Sequence, residues 1–478
     1  MPARTVMQGW EKGTAWRIIG SSMGMEQPYP PIDRARIDLN QEVASETPSG
    51  HVVPSMRVAI IGTGISGMAA AHHLRDHADL TIFEANDRPG GHANTAVVES
   101  ERGLESVDTG FIVFNDRNYP EFTKLLEELE VASRPSTMSF SVSDGKFEYT
   151  GRSLNGLFAK RSNLVNPKFL RMLAEFPRFQ RRLRELSQNE AEGPSLAEFI
   201  EQEGFSDELR EYVVVPLVSA VWSADPQQMW SFPIGFLARF MDNHGLLSLR
   251  ERPQWRTIEG GSWSYVSALT DPLRDRIRLN SPVERVRRFA SHVEVTPRGG
   301  APESFDEVII ATHSDQALGM LDAPTPEERQ ILGAIVYQPN EAVLHTDETL
   351  LPKRRAAWAC WNYHLTDQPT GATALTYDMN RLQTLDCERQ FCVTLNLTER
   401  IDPDKIIKVI QYEHPVFTPD TMDAQRRWSD ISGVGRTHFA GAYWRNGFHE
   451  DGAFSGLRAA RQLLGTGPPA STPTATAT

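Results

Sequence analysis

The sequence predicts an α/β fold in which a doubly wound parallel sheet, carrying added antiparallel strands, is interleaved along the chain with an α+β domain. Three observations predict it. Residues 57–61 (RVAII) form a short apolar, β-branched run, the composition of a strand buried on both faces. That run passes into a glycine-rich turn, a stretch of Ala, Met, His and Leu suited to a helix, and a second apolar run at 80–83 that ends on Glu84. Near the other end of the chain, residues 437–460 again read as a strand, a loop and a helix.

The first of these units is Rossmann-like. Gly62, Gly64 and Gly67 fall in the pattern G-x-G-x-x-G, with Ser66 at the start of the helix. The first glycine permits a tight turn, the second lets a pyrophosphate approach the backbone, and the third lets helix pack closely on strand. Unpaired N–H groups at the helix start and the helix dipole both favour phosphate there. Glu84 lies 22 residues after Gly62, where a carboxylate accepts hydrogen bonds from ribose hydroxyls. A bare glycine fingerprint also has a purely structural reading; two strands and the acid together point to a dinucleotide.

The residues beyond Glu84 indicate which dinucleotide. Residues 86–92 read N-D-R-P-G-G-H, and on Arg88, Gly90 and Gly91 the chain resembles the R-x-G-G motif of the amine oxidase, phytoene desaturase and protoporphyrinogen oxidase superfamily. The resemblance implies FAD, with His92 beside a second close approach of backbone to the cofactor. Taken alone, Pro-Gly-Gly is an ordinary turn. It also implies a domain plan: FAD-binding segments at 56–135, 251–320 and 425–465, a helical part of a substrate domain at 136–250, and that domain's sheet at 321–424.

With 478 residues the chain can build two or three domains and a large core. Its net charge of −13 argues against general nucleic-acid binding. No apolar run approaches the ~20 residues that span a bilayer. The three cysteines, Cys360, Cys387 and Cys392, form no C-x-x-C pair and suit a reducing cytoplasm. Residues 1–55 lack the apolar core of a secretory signal and read as a loosely ordered extension, or as the product of an upstream start, since Met56 directly precedes the first strand. The Pro-, Ala-, Ser- and Thr-rich tail, 466–478, reads as disordered.

Between these landmarks, residues 107–115 (VDTGFIVFN) place Asp108 and Gly110 in a turn that either approaches the cofactor or simply ends a strand. On residues 107–122 the chain resembles a bacterial subgroup of NAD/FAD-binding oxidoreductases associated with cyclopropane fatty acid synthases. That likeness implies a fatty-acyl methyltransferase partner. Residues 163–186 read as a basic helix, kinked or divided at Pro177, carrying Lys168, Arg171, Arg178, Arg181, Arg182 and Arg184. Such a helix either lies on an anionic membrane, giving a peripheral contact at its inner face, or is a solvated face over a buried stripe.

Residues 195–250 continue helical and aromatic, with Trp222, Trp230, Phe232, Phe236 and Phe240. Residues 252–262 resemble the superfamily's W-x-x-x-x-G-G element through Trp255, Gly260 and Gly261. Residues 277–286, 292–296 and 307–311 read as strands of a small antiparallel sheet, and the resemblance implies that Val283 contacts the adenosine through its backbone. The run ending at His313 also stops where open α/β sheets place ligands, so His313 is a candidate proton shuttle or a structural hydrogen-bonder. Residues 340–345, 358–364 and 391–397 read as strands of the second sheet, with Trp361 and Tyr363 sized for a pocket wall or for core packing.

The closing element, 437–460, resembles the superfamily's C-terminal flavin motif: a strand ending in F-A-G, a loop, and a helix. Gly441 and Gly452 are expected to allow close backbone approach, with Ala453 starting a helix whose N-terminus faces the flavin. Many amine oxidases have glutamate where this chain has Ala442, which leaves either Glu450 or Asp451 as a compensating partner of the ribityl chain or a site that simply differs.

The resemblance therefore implies an FAD-dependent oxidoreductase moving a hydride between flavin N5 and a carbon centre of a hydrophobic, lipid or unsaturated acyl substrate. His313, Trp361 and Tyr443 are the catalytic candidates. No metal-binding or nucleophilic hydrolase motif is visible. A flavin amine oxidase using oxygen is the second reading, with Lys353 the lysine in a relevant stretch and Tyr443 and Trp444 an aromatic wall. A flavoprotein without turnover, acting beside a methyltransferase, is the third.

Overall fold

In the computed structural model, residues 56–144, 147–189, 192–222, 228–247, 253–366 and 371–466 are described. The extension 1–55, Arg252 and all but the first residue of the 466–478 tail lie outside them. The first strand, Arg57–Ile61, is buried from its second residue onward because both of its faces are covered. It pairs in parallel with Asp79–Phe83 on one side and Glu307–Ile310 on the other, Ile60 standing between Ile82 and Ile309. Ile277–Arg278 and Thr437–Phe439 complete this parallel sheet among the described residues. Three distant stretches of chain thus meet in one sheet.

Two strands that the sequence pattern assigns to the small antiparallel sheet belong here instead. Glu307–Ile310 has three consecutive fully buried residues, Val308, Ile309 and Ile310, which suits a sheet covered on both faces. The antiparallel sheet consists of Val283–Arg288, Val293–Pro297 and Glu303–Phe305.

A second, mixed sheet has Tyr337–His345, Trp361–His364 and Cys392–Leu395 among its strands, close to the expected positions. Its far edge departs from expectation. Phe140–Ser143 and Glu148–Thr150, which fall by sequence in the helical part, join it through a parallel pairing with Trp361–His364.

The long helix Pro167–Ser187 is not divided at Pro177. Its proline is on the exposed side, while Phe169, Met172, Phe179 and Leu183 bury the other side and hold the helix across the break in its hydrogen bonds. Its basic residues are largely engaged. Arg178 donates to the Glu203 carbonyl at 2.9 Å, Arg182 pairs with Glu203 at 2.8 Å, and Arg184 donates to the Leu247 carbonyl at 2.8 Å. Its apolar stripe is buried in the helical core. Among the described residues no helix is long and apolar enough to cross a membrane.

Candidate cofactor site and active site

The glycine turn ends the first strand and opens the helix Ile65–Leu74. Gly62 has φ +102°, and a Cβ there would stand 2.7 Å from the Ala311 carbonyl oxygen. A Cβ on Gly67 would overlap the Gly62 carbonyl, so the third glycine sets how tightly the helix seats on the turn. Gly64 differs: a Cβ there would meet nothing within 4 Å. It faces the open space of a cavity of about 1360 Å³, lined also by Gly62 and Ser66. Single-ligand sites typically occupy about 300–1,000 Å³, so this one has room for a dinucleotide and a second molecule.

Glu84 lies on the same wall and is 5% exposed. Its carboxylate accepts from the Thr63 N–H at 3.0 Å, the Thr63 hydroxyl, the Asn86 N–H at 2.9 Å and the Asn86 side-chain amide at 2.8 Å. Those four donors match its roughly four lone-pair positions, so a ribose hydroxyl would bond here only by displacing the Thr63 hydroxyl or the Asn86 amide. Arg88 clamps its own loop, donating to the Gly91 carbonyl at 2.9 Å and the Ala93 carbonyl at 3.2 Å. Gly91 (φ +57°) is thereby pressed against Gly64, whose Cα would lie 3.2 Å from an added Cβ. Arg88, Gly90, Gly91, His92, Val283, Trp255 and Gly441 all line the cavity.

Four expected cofactor residues do not line it: Gly67, Asp451, Gly452 and Ala453. The closing helix is His449–Leu463 and starts four residues before Ala453. Asp451 reaches back to accept from the Phe448 N–H at 2.9 Å, and burial pushes its carboxyl up to about 6. Glu450 accepts from the Glu121 and Phe122 N–H groups at 3.1 and 2.9 Å, capping the helix Pro120–Glu128, and burial raises it to about 7. Gly452 and Gly456 instead let this helix touch the first one, where added Cβ atoms would press on Ile65 and Ser66. Asp108 is likewise a brace behind the wall. It accepts from the Thr95 hydroxyl at 2.6 Å, the Ser262 N–H at 2.8 Å and the Gln383 amide at 3.0 Å, and burial raises it to about 6. Gly110, two residues on, does line the cavity.

Sequence reasoning named His92 and His313 but missed the partners that group with them, Tyr337, Tyr412 and His414. His92 stacks on Tyr412 with ring centres 4.8 Å apart, and His414 is 5.4 Å from His92. His313 is 6.5 Å from His92, stacks on Tyr337 at 4.2 Å, and lies 3.4 Å from the Glu413 carboxylate. Burial holds His92 and His313 below the ordinary histidine range, and burial together with His313 takes His414 down to about 4. His414 is therefore neutral at pH 7. The alternation of Tyr412 and His414 along the strand Ile406–Pro415 was the available signal.

The tautomer of His414 is set by its neighbours. Asn396 accepts from the Glu341 N–H at 2.9 Å, so its amide nitrogen is the group donating to the Thr373 carbonyl and to Asn340 Oδ1. Asn340 therefore donates through Nδ2 to the Gln338 carbonyl and to His414 Nδ1 at 3.0 Å. With Nδ1 accepting, neutral His414 carries its proton on Nε2.

The remaining wall is apolar. Leu217, Val221, Trp222, Phe240 and Phe417 come from or pack on the helical layer, and Phe140, Trp361 and Tyr377 from the second sheet. His449 stacks on Phe111 at 3.7 Å and meets the Tyr265 hydroxyl at 2.8 Å, with burial lowering it to about 3. The three catalytic candidates, His313, Trp361 and Tyr443, all line the cavity. Lys353 is exposed and outside it, and among the described residues no lysine is on its wall. The glycine turn, the open face at Gly64 and the amide groups of the helix start fit an adenine dinucleotide, and the volume fits one of FAD's size.

The profile of the flavin-containing amine oxidoreductase family matches residues 65–380. Coproporphyrinogen III oxidase of Staphylococcus aureus is 22% identical over 289 residues, 53% of this chain and 60% of that protein's own length. Among solved structures, cyclohexylamine oxidase from Brevibacterium oxydans superposes with a TM-score of 0.64 at 19% identity, over 86% of this chain and 99% of that one. A fatty acid isomerase from P. acnes that produces CLA superposes with a TM-score of 0.60 at 14% identity over the same shares. The two superpositions show a common fold.

Proposed function

The chain belongs to the flavin-containing amine oxidoreductase family, and from that premise we propose that it moves a hydride between bound FAD and a carbon centre of a hydrophobic, lipid or unsaturated acyl substrate. The observation that carries the substrate reading is the wall away from the glycine turn, which is built from aliphatic and aromatic side chains. The carboxylates on the cavity are Glu84, Asp87 and Glu284, grouped with the glycine turn, and Glu413, which faces His313. A cationic amine finds little to balance its charge among Leu217, Val221, Trp222 and Phe240, whereas an acyl chain loses water there at about 0.8 kcal/mol per buried CH₂.

FAD supplies the two-electron chemistry. The chain's own residues hold and shape. The amides of the glycine turn and helix start receive the pyrophosphate, Glu84 orients the ribose, and the apolar wall aligns the substrate and excludes water. His414 presents a neutral N–H whose tautomer is set by Asn340.

The test is purification with FAD followed by anaerobic bleaching of the visible spectrum with acyl lipids and with amines. Reduction by unsaturated or branched acyl lipids supports the reading. Reduction by amines with peroxide release replaces it with an amine oxidase, a reading favoured by the aromatic wall of Tyr337, Tyr412 and Tyr443. Flavin that no lipid or amine reduces favours a non-catalytic partner of a methyltransferase.

A further inference from the structure

From Gly151 to Arg171 the sequence contains five basic residues, Arg152, Lys160, Arg161, Lys168 and Arg171, and no acidic one, in a chain of net charge −13. The same stretch leaves four large aliphatic side chains in water: Leu154 at 78% exposure, Leu164 at 52%, Val165 at 81% and Leu170 at 42%. Four of the eleven exposed large aliphatic side chains among the described residues thus fall within residues 154–170.

The stretch is a structured unit. Ser153 caps the short helix Leu154–Leu157 by accepting from the Gly156 N–H at 3.0 Å. Arg161 donates to Asn155 Oδ1 at 2.8 Å and to the Phe158 carbonyl at 2.9 Å, joining that helix to the turn Arg161–Val165. Asn166 then caps the long helix, accepting from the Lys168 N–H at 3.1 Å. Leu157, Phe158 and Phe169 point inward, onto the same core as Trp222, Phe240 and Phe417 of the cavity wall. The exposed aliphatics are therefore held on the outer side of the core whose inner side lines the active-site cavity.

We propose that residues 152–171 dock the protein on an anionic lipid surface, the aliphatic side chains entering the headgroup layer and the basic ones meeting lipid phosphates. The charge pattern favours this occupant. Lys168 and Arg171 have partners of their own in Glu208 at 3.5 Å and Glu175 at 3.1 Å. Arg152 and Arg161 face no carboxylate within ion-pair distance among the described residues. A second copy of this chain, packed symmetrically, would set the same basic stretch against itself. An anionic bilayer offers apolar depth and negative charge together. The surface shares Lys168 and Arg171 with the basic helix read from the sequence, whose own apolar stripe is buried in the helical core, and takes its exposed aliphatics from the segment before that helix and its first turn. The proposal stands whether or not the substrate is a lipid.

The experiment is co-sedimentation of the full chain, loaded with FAD, with vesicles of phosphatidylcholine alone or mixed with phosphatidylglycerol. Wild type is expected to pellet with the anionic vesicles and to be released by salt. Leu154→Asp with Val165→Asp should weaken binding by about ten-fold or more, and Arg152→Gln by about five-fold. Unchanged flavin absorbance and melting temperature show that these exposed positions leave the fold intact. Failure of wild type to bind anionic vesicles at physiological salt, or equal binding by the variants, overturns the proposal. So does self-association in sedimentation velocity that disappears in the aspartate variant without vesicle binding, which assigns the surface to a second copy.

Discussion

The two ends of the cavity are made of different material. At the glycine turn the wall is backbone: Gly64 is open to the cavity, Gly62 and Gly91 press against other main-chain atoms, and the helix start supplies N–H groups. At the other end the wall is side chains, Leu217, Trp222 and Phe240 facing Phe140, Trp361 and Tyr377. The first end recognises what all adenine dinucleotides share and tolerates almost no change of shape. The second sets what is brought to the cofactor and can change residue by residue. An amine oxidase and a fatty acid isomerase that share this fold illustrate the consequence: the fold leaves the substrate to the second wall.

The largest expected effect breaks the backbone end in two distinct ways. Gly67→Val puts a side chain into the Gly62 carbonyl, where no flexible group can yield. It should cost more than about 4–5 kcal/mol and abolish soluble, folded protein. Gly64→Val meets nothing in the protein itself, so it should fold, with a melting temperature near that of the apoprotein, and purify colourless. Two glycines three residues apart then separate folding from cofactor binding. A Gly64→Val protein that stays yellow would show that the pyrophosphate does not approach this turn.

At the side-chain end, Val221→Glu should leave the flavin spectrum in place and lower the rate of reduction by acyl lipids by about a hundred-fold. A charge on the apolar wall, at a partly buried position of the cluster that holds Trp222 and Phe240, disfavours the chain's apolar contacts. If amines are the true substrates, the same substitution should leave or raise their rate. The comparison of the two ends fails if the substitution releases FAD instead.

These ends also differ in how they can be seen in a sequence. The backbone end leaves a local signature, because turn geometry fixes spacing: Gly62, Gly64 and Glu84 are legible from residue order alone, Arg88, Gly90 and Gly91 through the likeness of their motif, and all line the cavity. Gly441 is legible through the likeness of its motif. The side-chain end has no such signature. Phe140 and Tyr377 join one sheet through the strand Trp361–His364, His414 sits on the opposite edge strand of that sheet, and Leu217 comes from a helix, and such long-range pairing leaves no local mark. Two departures have specific causes. The closing helix reads as starting at Ala453 because its true cap, Asp451 reaching back to the Phe448 N–H, lacks the serine or threonine that usually marks such a start. Pro177 reads as kinking or dividing the helix because its local cost is visible, whereas the packing of Phe169 and Phe179 that keeps the helix undivided is not.

Acidification should separate two sets of buried groups. For His414, lowered by burial to about 4, stability is fully present above the ordinary histidine value of 6.5 and is lost as pH falls towards 4, since the unfolded chain takes the proton first. For Glu450, raised by burial to about 7, the sign reverses: stability falls as pH rises from the ordinary carboxyl value of 4.5 through 7. Between pH 7 and pH 5 the melting-temperature gap separating wild type from His414→Gln should therefore narrow, and that separating wild type from Glu450→Gln should widen in favour of wild type. Parallel movement of the two gaps would show that these groups are not buried as found.

The smallest effect concerns the proton on His414. Asn340→Leu removes the donor to Nδ1 and leaves Asn396 without its Oδ1 partner, at a cost of about 1–3 kcal/mol. Flavin should remain bound, because none of these atoms belongs to the glycine-turn end. The imidazole is then free to hold its proton on either nitrogen, so the Nε2–H offered to the cavity is present only part of the time. The expected loss in rate is a few-fold, without change in the spectrum of the oxidised cofactor. A purely structural role predicts the same loss of stability, but no change in the nitrogen shifts of His414. In the wild type those shifts should report a single neutral Nε2–H form above pH 6, and in Asn340→Leu a mixture. Asn340→Gln, which keeps an amide donor, should recover part of the single form if the donated hydrogen bond sets the tautomer. An unmixed signal in the leucine variant would mean that contacts other than Asn340 fix the ring.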